Sequence, residues 1–210
     1  LQNGKVNAIS SDLLKELNDA LDQAEAAGAV VILTGQAGIL SGGYDLKTMR
    51  SSPENATNLV AEGSTLTRRM LAHPQPIIVA CSGHAVAKRA FLLLAADYRI
   101  GIDGAFSIGL NEVKIGMTMH HVGIALARNR LTPSAFERAV INAEMFTPQT
   151  AITVGFLDEL VTAEELLPRA EAVAKQLQTI NMRAHAATKR QVRKDLLDTR
   201  DAAIALDKLT

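Results

Sequence analysis

A single carboxylate, Glu112, stands among apolar neighbours in the run Leu110-Asn111-Glu112-Val113. Such a carboxyl is ordinarily exposed at a turn. Facing a cleft instead, it would have a pKa raised by burial and become a base able to take a proton from a bound substrate. Two further stretches have the composition that such chemistry needs beside the base. Ser41-Gly42-Gly43-Tyr44-Asp45 lies just beyond the strand end at Thr34-Gly35, at the edge where open α/β sheets place ligands. Gly83–Ala87 follows a second buried strand and leads into a helix. Small residues let the backbone come close to a ligand and present N–H groups to it. Each stretch alone also reads as an ordinary turn. As a pair they place free N–H donors at two neighbouring strand ends, where both can converge on one oxygen and stabilise an oxyanion.

Other candidates have blander readings. His120 and His121 are adjacent, so their side chains point in different directions and do not share a metal; a core or surface role is favoured over an acid/base one. His84 and Cys81 read as packing residues. Lys88 and Arg89 are less expected, because two cations stand side by side at the start of a helix that runs into the core, where the helix dipole disfavours them.

The elements that position these residues follow from hydrophobic periodicity. Ser10 or Ser11 caps a helix through Asp12–Ala27, Gly28 ends it, and Ala29–Leu33 is expected to be a strand buried on both faces. Pro53 opens a second helix with Leu59, Gly63, Leu66 and Met70 on one face; His73-Pro74-Gln75-Pro76 breaks it before the strand Ile77–Cys81. Two helix-to-strand units imply a parallel sheet with crossover helices. Tyr98–Ile102, Ala105–Ile108 and Phe156–Val161 are expected strands. Helices are expected after Thr132-Pro133 and Thr147-Pro148, over Glu164–Gln178, and as one long element over Met182–Leu209.

The 210 residues suffice for one sizeable core, and 22 lysines and arginines balance 22 aspartates and glutamates. No global field therefore favours nucleic acid or an acidic membrane. One cysteine excludes an internal disulfide framework and a cysteine-based metal site, so no metal is expected. No apolar run reaches the roughly 20 residues of a membrane-spanning helix. The expectation is a soluble, cytoplasmic protein without a signal peptide.

Taken together, five segments resemble the crotonase (enoyl-CoA hydratase/isomerase) superfamily in order and spacing. They are Lys5–Ser10, Leu40–Leu46, Pro76–Ala87, Ala95–Ile100 and Asn111–Gly116. The resemblance implies an α/β fold, a spiral of ββα units over residues 1–160 that holds an acyl-CoA site. It also implies a C-terminal helical region, 161–210, used to form a homotrimer or a dimer of trimers. Coenzyme A thioesters are the implied substrates, with no further cofactor. By resemblance, the backbone N–H groups of Tyr44 and Lys88 receive the thioester carbonyl, and Lys5, Val6, Ser41, Gly42 and Asp45 lie along the CoA moiety. Glu112 matches one of the two glutamates of the family's hydratases, whereas the other position holds Phe91. A phenylalanine neither transfers a proton nor positions water. The favoured activity is thus an enoyl-CoA isomerase that moves a double bond with one glutamate, His120 or His121 contributing as an acid/base. The alternatives are a hydratase with reduced acid/base machinery, and a CoA-ester-binding or structural homologue without catalysis. Lys88 and Arg89 replace positions where many relatives carry glycine; three accounts follow, of which the first is favoured: side chains that reach outward from an intact site, a site changed to a different acyl-CoA, or an impaired enzyme that keeps the fold.

Overall fold

The computed structural model describes residues 1–4, 7–41 and 43–207. Helix α1 (Ser11–Ala27) starts where the Ser10 hydroxyl accepts the Leu13 N–H and stops at Gly28, whose φ of 64° suits a residue without a Cβ. Then comes a repeating unit. Strands β1 (Val31–Thr34) and β2 (Gly38–Ile39) lead to helices α2 (Leu46–Ser51) and α3 (Pro53–Ala72). Strands β3 (Ile77–Cys81) and β4 (Gly83–Val86) lead to α4 (Lys88–Ala95). A third pair, β5 (Tyr98–Ile102) and β6 (Ile108–Gly109), precedes α5 (His121–Arg130) and α6 (Pro133–Val140). The chain finishes with β7 (Met145–Phe146), α7 (Pro148–Val154), β8 (Glu159–Val161), α8 (Leu166–Leu177), α9 (Met182–Val192) and α10 (Lys194–Asp207).

Each strand pair places one member in each of two sheets, so the chain advances as a spiral of ββα units. One sheet has the order β1-β3-β5-β8, wholly parallel; the other has β2-β4-β6-β7, with only β7 antiparallel to its neighbour. The two faces of β3 explain its unbroken apolar sequence. Ile77, Val79 and Cys81 enter the main core, while Ile78 and Ala80 enter a second core beneath Leu166, Ala170 and Val173 of α8. Helix α4 crosses the main core with Ala90–Ala95 essentially inaccessible. Each of its larger side chains contributes roughly 1.5–3 kcal/mol by burial. The body of that helix is consequently packed on all sides.

Four expectations need correction. Strand β1 is the edge of its sheet, so its residues are only partly buried. Gly83–Val86 is not a turn, because it pairs with β2 on one side and β6 on the other. The strand expected at Ala105–Ile108 shifts to Ile108–Gly109. The single helix expected from Met182 is interrupted at Arg193, whose guanidinium is anchored to the Leu71 carbonyl and the Asp97 carboxylate; its expected end at Leu209 lies outside the described residues. Among the described residues, no helix is long and apolar enough to cross a membrane.

Candidate active site

The loop after β2 and the N-terminus of α4 each present a backbone N–H free of the local ladder. Ile9 donates its N–H to the Gly43 carbonyl and accepts the Asp45 N–H, at 2.7 and 2.9 Å. Because successive groups of an extended chain alternate in direction, the intervening Tyr44 N–H faces the other way. Lys88 is the first residue of α4, so its N–H has no acceptor within the helix. Ala87 before it holds φ 56° and ψ −125°, a backbone region that favours glycine, and no side chain caps the helix. Strain of this kind, of order 1–3 kcal/mol, persists only where surrounding structure imposes it.

Lys88 does not reach outward. Its side chain is buried and its Nζ donates to the Gly63 carbonyl of α3 at 2.6 Å, lying 5.7 Å from the Tyr44 ring centroid and 5.9 Å from that of Phe91. The physical reason is the space above Gly63. A Cβ there would sit 2.3 Å from the Tyr44 hydroxyl and 2.9 Å from Lys88 Cε. Burial, and then the nearby charge of Arg200, pull the Lys88 ammonium well below its ordinary pKa. Arg89 is half-buried, with its Nε lacking a partner.

Glu112 is buried too, at the start of a single 3-10 turn, and its Oε2 has no hydrogen-bond partner. Burial pushes its pKa up, and a backbone hydrogen bond and the charge of Lys88 pull partly back. His120 caps α5, its Nδ1 accepting the Gly123 N–H at 2.7 Å, and its ring lies 5.0 Å from Phe91. Nδ1 as acceptor fixes the proton on Nε2. Burial, reinforced by Lys88, lowers the imidazole pKa to about 4, so His120 is a neutral donor at neutral pH. His121 is exposed and supplies only its backbone N–H to Asp207 at 2.8 Å.

The structure thus brings Tyr44, Lys88, Glu112 and His120 together and leaves His121 at the surface. Ser41 is buried and ties its own loop, donating to the Asn7 carbonyl at 2.6 Å and accepting the Gly43 N–H. Asp45 caps α2, accepting from the Thr48 hydroxyl and N–H at 2.7 and 2.9 Å; these bonds, the hydroxyl's first, hold its pKa below the usual carboxylate range. Lys5, Val6 and Gly42 lie outside the described residues. Two members of the group escaped sequence reasoning. Gly63 had been read only as part of a helix face. Arg200 of α10 is fully buried, its Nη2 donating to the Ser64 carbonyl and Thr67 hydroxyl, and burial lowers its pKa to about 10. Its place on the buried stripe Leu196-Arg200-Ala203 was the available signal.

A cleft of about 490 Å³ is walled by Met49, Val60, Ser64, Met117–His121 and Ile204, so that of Tyr44, Lys88, Glu112 and His120 it is His120 that lines it. Its inner wall is tied to Glu112, whose carbonyl accepts the Met117 N–H at 2.9 Å. A larger hollow of about 640 Å³ between α5 and α10 contains neither Glu112, Tyr44 nor Lys88. A buried carboxyl beside two outward N–H groups and a mainly apolar cleft can remove a proton adjacent to a carbonyl and hold the resulting enolate.

Comparison with known proteins agrees with this chemistry: the family model described as "Enoyl-CoA hydratase/isomerase" matches residues 1–209. The chain belongs to the enoyl-CoA hydratase/isomerase family. A crystal structure of an enoyl-CoA hydratase/isomerase family protein from Pseudomonas syringae is 69% identical, with a TM-score of 0.98 over 100% of this chain and 91% of that one. Mouse "Enoyl-CoA delta isomerase 1, mitochondrial" is 29% identical over 94% of this chain and 70% of its own length. A "Probable enoyl-CoA hydratase" of Bacillus subtilis is 31% identical over 83% of this chain and 69% of its own length. Family members named for both reactions are thus similar to it, and the crotonase spiral expected from sequence is the fold observed.

Proposed function

We propose that this protein is an enoyl-CoA isomerase that moves a double bond between the 3 and 2 positions of an acyl-CoA thioester. The observation that carries the reading is the buried carboxyl of Glu112, whose Oε2 has no partner; by the family resemblance, the hydratases' second glutamate falls on Phe91. The N–H groups of Tyr44 and Lys88 receive the thioester oxygen, and Ser41, Asp45, Lys5, Val6 and Gly42 shape the path of the CoA moiety. Ionised Glu112 takes a proton from C2 of the 3-enoyl chain. The electron pair spreads through the double bond to the carbonyl oxygen, where the two N–H groups hold the charge. Losing one such donor typically costs on the order of 3 kcal/mol of barrier. The protonated Glu112 then delivers its proton to C4, giving the 2-enoyl thioester. One group suffices because the proton leaves and returns on the same face. His120 assists as a neutral Nε2–H donor lining the cleft, not as a proton carrier. The working assembly is a homotrimer or a dimer of trimers.

The test is incubation with a 3-enoyl-CoA followed by chromatography and mass spectrometry. The expected product is a 2-enoyl-CoA of unchanged mass. A product heavier by one water would instead make the protein a hydratase, and an unchanged substrate would make it a binder.

A further inference from the structure

Both residues assigned to the carbonyl-binding pair send their side chains to the same turn of α3. The Tyr44 hydroxyl donates to the Val60 carbonyl at 3.3 Å, and Lys88 Nζ donates to the Gly63 carbonyl at 2.6 Å. These helix carbonyls can accept a second hydrogen bond because each has two lone pairs. Gly63 makes the shared docking possible: a Cβ there would overlap the Tyr44 hydroxyl and press on Lys88 Cε. The start of α4 needs such an anchor, since it has no capping side chain and follows an alanine held at φ 56°.

We propose that the Val60–Gly63 turn is a brace common to both halves of the oxyanion site, and that Lys88 is a positioning residue whose side chain fixes where its own backbone N–H points. The inference rests on the reading that Tyr44 and Lys88 bind a thioester carbonyl. It gives Lys88 a use that glycine at this position could not supply. The brace works whether the amine is charged or neutral, because both forms donate to Gly63. A small error in donor placement is enough to matter, as a displacement near 1 Å in a catalytic group can cost about 100-fold in rate.

Lys88→Met keeps the length of the stem and the backbone N–H but removes the bond to Gly63. Tyr44→Phe removes the other tie and keeps its ring, so either variant carries the test if the other fails to fold. Infrared difference spectroscopy of bound butyryl-CoA, carbon-13 labelled at the carbonyl, reads the hydrogen bonds at the oxygen directly. In the unaltered protein the carbonyl stretch should lie below its value in solution. In each variant it should move back toward that value, while kcat on a 3-enoyl-CoA falls at least about 10-fold and KM stays within about twofold. A stretch unchanged in both variants overturns the brace and leaves the functional reading intact. A rise in kcat for Lys88→Met overturns it too, since it would show that the side chain crowds the site. Absence of any shift in the unaltered protein overturns both the brace and the carbonyl assignment. A shift that the variants lose, without double-bond migration in any of them, supports the brace and rejects the isomerase reading.

Discussion

Compared side by side, two of the regions that bury cations treat them in opposite ways. Beneath α9 and α10, Asp97 bonds Lys189 Nζ at 2.6 Å and an Arg193 nitrogen at 2.8 Å, and its Oδ2 also accepts the Ile77 N–H. Around the cleft, Lys88 meets only a carbonyl and two aromatic faces, Arg200 meets a carbonyl and a hydroxyl, and the buried Glu112 forms no ion pair with either. Charge neutralised by a close partner serves to hold helices on a sheet. Charge left without one is costly to the fold, and such perturbed groups concentrate where chemistry is done.

The sharpest way to separate the regions is Glu112→Gln. Turnover should fall by about 100- to 10,000-fold, the usual contribution of a positioned acid/base group, while the melting temperature should not fall. Thermal denaturation beside a steady-state assay checks both; loss of stability together with activity would make Glu112 a structural residue. Asp97→Asn should do the reverse. Removing one partner of a buried pair costs about 3–5 kcal/mol, so denaturant unfolding should show a large loss while kcat of the remaining folded protein stays near that of the unaltered chain.

How far this contrast could be read from sequence depends on the distances involved. Glu112 drew attention as a lone carboxylate in an apolar run, whereas the carbonyl-binding reading of the Tyr44 and Lys88 N–H groups comes from the family resemblance. A parallel sheet with crossover helices was accessible from helix-to-strand alternation, whereas the spiral came through the family resemblance of five ordered segments. The direction of Lys88 was not, since it is decided by Gly63, which is distant in sequence and whose relevance is an absence of atoms. Arg200 likewise reaches the site only because α10 folds back along α3 and α5, and the break at Arg193 depends on partners contributed by α3 and by Asp97 in the link between α4 and β5. Local periodicity cannot report such tertiary demands.

Proton titration should distinguish the regions next. Because burial raises the Glu112 pKa, its ionised, working form is gained as pH rises through a value above the ordinary carboxylate range. The acid limb of the rate profile should fall there. Stability runs the other way: the contribution of the protonated group is present below its unfolded pKa and is lost as pH rises through its folded one. Glu112→Gln should remove that decline from the melting curve. A rate limb within the ordinary carboxylate range would contradict the burial argument. The smallest expected effect is at the strained residue. Ala87→Gly should raise stability by about 1 kcal/mol, read by denaturant unfolding, whereas a loss would mean that the φ of Ala87 carries no strain.

The most direct test of the central claim is incorporation of deuterium from D2O into a 3-enoyl-CoA, followed by mass spectrometry, with the unaltered protein and its Glu112→Gln variant side by side. The account predicts double-bond migration by the unaltered protein, with deuterium entering to the extent that protonated Glu112 exchanges with solvent before it reprotonates the chain, and neither migration nor exchange above background by the variant. Migration or exchange that persists without Glu112, or neither of them by a protein shown in the same sample to bind the thioester, would contradict it.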